Sequence, residues 1–179
     1  MYVCMFPDTL KIAKVVPIFK SGHKLLINNY QPVSILSVFS KIFEILMYNR
    51  LNNYMVMNNF LTDSQFGFKE EHSTSMAILR LVAQIATEID KGRPNVTLGV
   101  FTDLSKAFDT IDHNILLDKL CMYGVRVKCL DWICSCLTHR KQYVHINNNE
   151  SDMLCINCSL PQGSVLGPLL FTIYINESG

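Results

Sequence analysis

The sequence predicts an α+β fold, and three observations lead there. Hydrophobic residues fill 49% of the 179 positions and charged residues 17%, which suits a buried core and excludes a disordered charged tail. Segments with helical spacing of apolar residues are interleaved with segments that alternate every second residue. The two kinds mix without the regular strand–helix–strand spacing of a parallel doubly wound sheet.

The first element is extended, Ile12 to Lys20, and ends in the turn Ser21-Gly22. Tyr30-Gln31-Pro32-Val33-Ser34 is extended too, because Pro32 disfavours helix at Gln31. From Ser37 to about Met57 the chain reads as helix, with Phe39, Ile42, Phe43, Leu46 and Leu51 as its apolar face and Lys41, Glu44 and Asn52 elsewhere. Ser73 caps a second helix that runs to Lys91 and stops at Gly92, with Ile78, Leu79, Val82, Ile85, Ala86 and Ile89 on its apolar face. Val96 to Asp103 alternates and reads as a buried strand. Asp112 caps a helix to about Tyr123, with Gly124 just beyond it, and a further helix covers Val127 to Leu137. Tyr143–Ile146 and Leu154–Cys158 flank Asn147-Asn148-Asn149 and read as a hairpin. Pro161-Gln162-Gly163-Ser164 is a turn before an apolar helix.

The longest nearly apolar stretch, Val165–Ile175, falls short of the about 20 residues that span a bilayer. The first residues show no basic stretch followed by an apolar one, so no signal peptide is read. Seven cysteines without a secretory signal point to reduced thiols in a cytosolic or nuclear compartment. Net charge is only +1, but it is uneven: residues 1–60 carry six Lys/Arg against two Asp/Glu, and residues 61–120 six against nine. A basic arm beside a metal or acid/base centre fits this pattern; so does an ordinary uneven surface.

Chemistry concentrates in two stretches. In Phe101-Thr102-Asp103-Leu104-Ser105-Lys106-Ala107-Phe108-Asp109, a carboxylate at a strand end suits a hard divalent cation such as Mg²⁺, which takes oxygen ligands and phosphates. The same residue also reads as a helix cap or a solvated strand end, and Asp109 and Asp112 as helix caps. In Pro161-Gln162-Gly163-Ser164-Val165-Leu166-Gly167-Pro168, glycine permits close approach of backbone or ligand, and Gln162 offers both donor and acceptor. Cys155-x-x-Cys158, with Cys134-x-Cys136 nearby, has zinc-like spacing, but three positions along a strand point to opposite faces, which favours buried free thiols. His113 and His72 have no serine or cysteine nucleophile at a recognisable spacing.

Six segments in order carry a resemblance. They are Ala13–Lys20 (AKVVPIFK), Asn29–Ser34 (NYQPVS), Gln65–Lys69 (QFGFK), Asp103–His113 (DLSKAFDTIDH), Leu137–Gln142 (LTHRKQ) and Pro161–Pro168 (PQGSVLGP). Together they resemble the reverse transcriptase domain of non-LTR (LINE-type) retrotransposons of the jockey-like branch. The resemblance implies a right-hand polymerase fold, with a fingers-like region at residues 1–92, a partial palm at 93–179 and no thumb. It implies RNA-directed DNA synthesis by a two-metal mechanism, with an RNA template, a DNA primer and deoxynucleoside triphosphates as partners and two Mg²⁺ ions in the complete site. Asp103 would be the first metal-binding aspartate and the Leu104 carbonyl a second ligand. Phe108 would lie under the incoming sugar, Gln162 and Gly163 would meet the nucleotide and template pair, and Lys69 would touch the triphosphate. The family commonly has arginine where this chain has Gln31, Lys69 and His72, and lysine lacks the bidentate fork. Leu160 replaces a Val or Ile.

The Tyr/Phe-x-Asp-Asp hairpin that supplies the family's other two carboxylates has no counterpart, since no Asp-Asp pair occurs in the sequence. The chain is therefore expected to be a truncated domain, inactive alone, with apolar surface uncovered beside the Asp103 strand. A non-catalytic retrotransposon remnant, or an RNA- or partner-binding module, is the alternative.

Overall fold

The computed structural model describes residues 5–69, 71–91, 96–104, 107–156 and 158–176. Strand β1 (Ile12–Phe19) organises the sheet. It pairs antiparallel with β2 (Tyr30–Ile35), from Lys14 opposite Ile35 to Phe19 opposite Tyr30, after a connection that turns at Gly22. On its other edge it runs parallel to β3 (Arg140–Ile146), with Ile12 beside Lys141 and Val15 beside Val144. The far edge of β3 carries the short β4 (Asn149–Glu150) and β5 (Leu154–Ile156), both antiparallel. Asn147 and Asn148, both at positive φ, make the tight turn that returns β3 on β4. The fold is thus mixed α and β, as expected.

Five helices accompany the sheet: α1 (Val38–Met57), α2 (Thr74–Asp90), α3 (His113–Met122), α4 (Val127–Leu137) and α5 (Gly167–Ile175). Their caps follow the sequence. Ser73 accepts a hydrogen bond from the Met76 amide, and Asp112 accepts from the Asn114 amide at 2.8 Å and the Ile115 amide at 3.4 Å. Pro168 in the first turn of α5 costs no hydrogen bond there. The core joins Leu51 and Met55 of α1, Leu116 and Leu120 of α3, Ile133 and Leu137 of α4, and Leu169, Leu170 and Ile173 of α5. Asn176, 3% exposed, ties the end of α5 to the rest: its side chain accepts from the Thr62 amide and donates to the Phe60 carbonyl and the Tyr123 hydroxyl.

Three expectations are corrected. Val96 to Asp103 forms no strand: the segment is coil, and Val96, Leu98, Val100 and Phe101 are 78–93% exposed. Alternation gives strand propensity, but a strand needs a partner edge, and none of the described strands pairs with this segment. Second, of the apolar face expected for α1 only Leu51 is buried. Ser40, Glu44, Leu51 and Met55 point inward, while Phe39, Ile42, Phe43 and Leu46 are exposed. Helical spacing located the helix, but the polar contacts of Glu44 set its rotation. Third, Cys155 and Cys158 are exposed, not buried; among the described cysteines Cys136 is the buried one.

The apolar face of α2 forms at the expected positions, yet no residue of that helix is buried. The helix stop at Gly92 and the boundary between residues 92 and 93 lie outside the described residues. Among the described residues no helix is long and apolar enough to cross a membrane.

Candidate functional site

The Pro161–Pro168 loop lies against four other segments of the chain. Its entry is stitched to the stretch after Asp103: the Ser159 amide donates to the Ile111 carbonyl at 3.2 Å, and the Leu160 amide to the Phe108 carbonyl at 2.9 Å. His113, 8% exposed, brings its Nε2 to 2.8 Å from the Ser159 carbonyl oxygen. At the turn, the Gln162 carbonyl accepts from the Ser34 amide of β2 at 2.9 Å. Gly163 sits at φ +115°, and a Cβ there would lie 2.6 Å from the Ser34 carbonyl oxygen. Only glycine satisfies both conditions.

The far side of the loop is held by α1. Glu44, 1% exposed, places Oε2 2.8 Å from the Ser164 hydroxyl and 2.7 Å from the Val165 amide, with the Leu166 amide at 3.4 Å. The Ser40 hydroxyl donates to Oε1 at 3.3 Å. The Ser164 hydroxyl in turn accepts from the Gly167 amide at 3.0 Å. Sequence reasoning set Glu44 off the apolar face of α1 and weighed His113 for catalysis, but foresaw the loop contact of neither. The available signal for Glu44 was Ser40-x-x-x-Glu44, a polar pair one helical turn apart among apolar residues.

A cleft of about 370 Å³ opens beside this loop. Val15, Pro32 and Ser34 line it from the sheet, Asp109 from the turn after Phe108, and Ser159 to Gln162 from the loop. Among the described residues no lysine or arginine lines it, so the described basic residues of the first 60 do not gather there. A larger cavity, about 1270 Å³, lies where the first described residues meet α4, and Lys11, Lys128, His139 and Lys141 border it. Lys11 is paired with Asp8 at 2.8 Å, and that ammonium holds the Asp8 carboxyl below its usual range.

The other expected site residues fall at different distances from the loop. Phe108 is half-buried and stacks on Phe171, with centroids 4.8 Å apart. The edge of its ring meets Phe68 at 6.0 Å, which brings the Gln65–Lys69 segment to the same place. Lys69 itself is mostly buried and stands 4.0 Å from the Asp63 carboxylate. Asp109 lines the cleft and Asp112 caps α3, so only the second is a helix cap. Asp103 and Leu104 are exposed in the coil segment, Leu104 to 64%. Among the described residues no three His, Cys, Asp or Glu side chains gather into a group that could hold a metal ion. A lone exposed carboxylate does not fit a two-ion centre.

Ser34 of β2, Glu44 of α1, the Phe108–His113 stretch and, through Phe108, Phe68 thus gather beside the Pro161–Pro168 loop. A model of the reverse transcriptase (RNA-dependent DNA polymerase) family matches residues 18–179. The chain belongs to the reverse transcriptase family. Among its relatives are polymerases of mobile elements in Drosophila melanogaster. It is 35% identical to a probable RNA-directed DNA polymerase from transposon BS, 30% to the RNA-directed DNA polymerase from mobile element jockey, and 31% to a probable counterpart from transposon X-element. Each match covers 96% of this chain and 19% of the relative, so the reverse transcriptase chain spans about a fifth of the length of these curated relatives.

Proposed function

We propose that this chain supplies the nucleotide-facing part of an RNA-directed DNA polymerase, acting on an RNA template, a DNA primer and deoxynucleoside triphosphates. One observation carries the reading: Phe108 and the Gln162–Gly163 turn, more than 50 residues apart, are joined by the Leu160–Phe108 backbone hydrogen bond beside a cleft. In this reading residues 1–92 are the fingers-like part and residues 93–179 the partial palm, connected through the pairing of β1 with β3.

The roles follow from placement. The Gln162 turn is pinned on both flanks, so what it presents to the cleft is preorganised. The Phe108 ring, backed by Phe171, is a rigid apolar plate suited to the flat side of a sugar. Lys69 would offer a charge to phosphate, competing with Asp63. Asp103 and the Leu104 carbonyl are the proposed divalent-cation ligands, in a centre that needs carboxylates beyond those the described residues bring together. No chemical step is assigned to the ion.

The test is a titration of the isotope-labelled chain with an RNA template annealed to a DNA primer, followed at the Gly163 amide. Movement of that resonance, reduced in Gln162→Ala, is expected. Binding that leaves Gly163 unmoved and shifts only other surfaces would overturn the assignment in favour of a non-catalytic nucleic-acid-binding module.

A further inference from the structure

Glu44 is a carboxylate withdrawn from water without a cationic partner within salt-bridge distance among the described residues. Such a group is costly unless hydrogen bonds replace its hydration. Here they come from one source: the stretch Ser164–Leu166, just after the Gln162–Gly163 turn, with Ser40 holding the second oxygen. The carboxylate therefore braces the three residues that lead into α5. Leu166 gives that helix no side-chain cap, and the Ser164 hydroxyl, which donates to Glu44, accepts from the Gly167 amide at the helix start.

The constraint reaches the cleft. The turn is fixed at Gln162 and Gly163 by Ser34 on one side, and at Ser164 and Val165 by Glu44 on the other. Only the Gln162 side chain is left without a hydrogen bond among the described residues, and it lines the cleft. We infer that Glu44 is a positioning residue for the nucleotide-facing turn: it acts through Ser164 and Val165 to hold Gln162 in the cleft with Gly163 next to it in the turn, without touching the ligand itself. This rests on the polymerase reading of the same cleft.

The geometry specifies what the side chain must supply. Three contacts converge on Oε2 and one on Oε1. A glutamine can put its carbonyl oxygen where Oε2 lies and its amide against the Ser40 hydroxyl, so Glu44→Gln keeps the clamp. Glu44→Ala leaves the Val165 and Leu166 amides without an acceptor.

Two readouts on the full chain separate positioning from bulk stability. The first is hydrogen exchange at Val165 and Leu166. The second is affinity for the RNA template–DNA primer duplex, read at the Gly163 amide. Glu44→Ala is expected to speed exchange at those two amides by about tenfold or more, as loss of a buried acceptor implies, and to weaken duplex binding at Gly163 while core amides of α3 keep their protection. Glu44→Gln is expected to restore both. Faster exchange in Glu44→Ala with unchanged duplex affinity would make Glu44 a structural cap only and overturn the inference. So would a Glu44→Gln variant as impaired as Glu44→Ala, because charge and not the acceptor geometry would then be at work. A duplex that leaves Gly163 unmoved in the unmodified chain would instead remove the polymerase reading, and the inference with it.

Discussion

Gly163 and Ser34 meet so closely that a methyl group on the first would stand 2.6 Å from the carbonyl oxygen of the second. Since φ at Gly163 is +115°, the backbone conformation also excludes a side chain. Gly163→Ala is therefore expected to destabilise the chain by about 2 kcal/mol or more, the sum of backbone strain and overpacking. Chemical denaturation compared with Gly67→Ala, where the nearest neighbour is a flexible glutamine end at 3.5 Å, checks it.

The rotation of α1 gives a second prediction. Leu116, fully buried in α3, should cost about 2–5 kcal/mol when cut to alanine. Ile42→Ala and Leu79→Ala, both at exposed positions, should each change stability by under about 0.5 kcal/mol. Equal losses at Ile42 and Leu116 would mean that the apolar stripe of α1 faces the core after all.

Asp112 holds two amides of the first turn of α3. Asp112→Ala should lower stability by about 1 kcal/mol, and Asp112→Asn by less, since asparagine caps nearly as well. Thermal unfolding of the two variants side by side is sufficient.

Burial pushes the Cys136 thiol up to about 12, against 9.0 for an ordinary thiol. Above pH 9 the unfolded chain releases this proton and the folded chain keeps it, so stability falls as pH rises from about 9 towards 12. Cys136→Ala should show a shallower fall across that window in denaturant titrations. Alkylation near pH 8 should modify the exposed Cys155 and Cys158 well before Cys136.

Asp103 lies in an exposed segment. Asp103→Asn should leave the melting of the chain unchanged within the range of ordinary surface substitutions, about 0.5 kcal/mol. Since no carboxylates of the described residues gather into a metal-holding group, the purified chain should show no primer extension with Mg²⁺ or Mn²⁺. A metal-dependent extension signal abolished by Asp103→Asn would refute this.

What the sequence disclosed was mostly local. The extents of β1, β2, α3 and α4, and the capping roles of Ser73 and Asp112, follow from periodicity, turn residues and side-chain oxygens that act within a few positions. The Val96–Asp103 segment failed because pairing depends on an edge elsewhere in the chain, which alternation does not encode. Glu44 was hidden for a related reason: its partners lie 120 residues downstream, and a glutamate on an amphipathic helix reads as a solvated face. The cluster around Phe108 and Gln162 was foreseen as two stretches of chemistry. Their junction through Leu160 was not, because a backbone hydrogen bond leaves no compositional trace.

The parallel pairing of β1 with β3 has a consequence for biosynthesis. Ile12 and Lys141 are neighbours in the sheet but 129 positions apart in the chain. At about 5–20 residues per second, a ribosome needs on the order of ten seconds to deliver the second after the first. Throughout that interval the β1–β2 hairpin waits with one edge open, next to an emerging α2 whose apolar face has nothing to cover it. The nascent chain is thus most vulnerable to chaperone capture, or to pairing with another nascent copy, before β3 has been made.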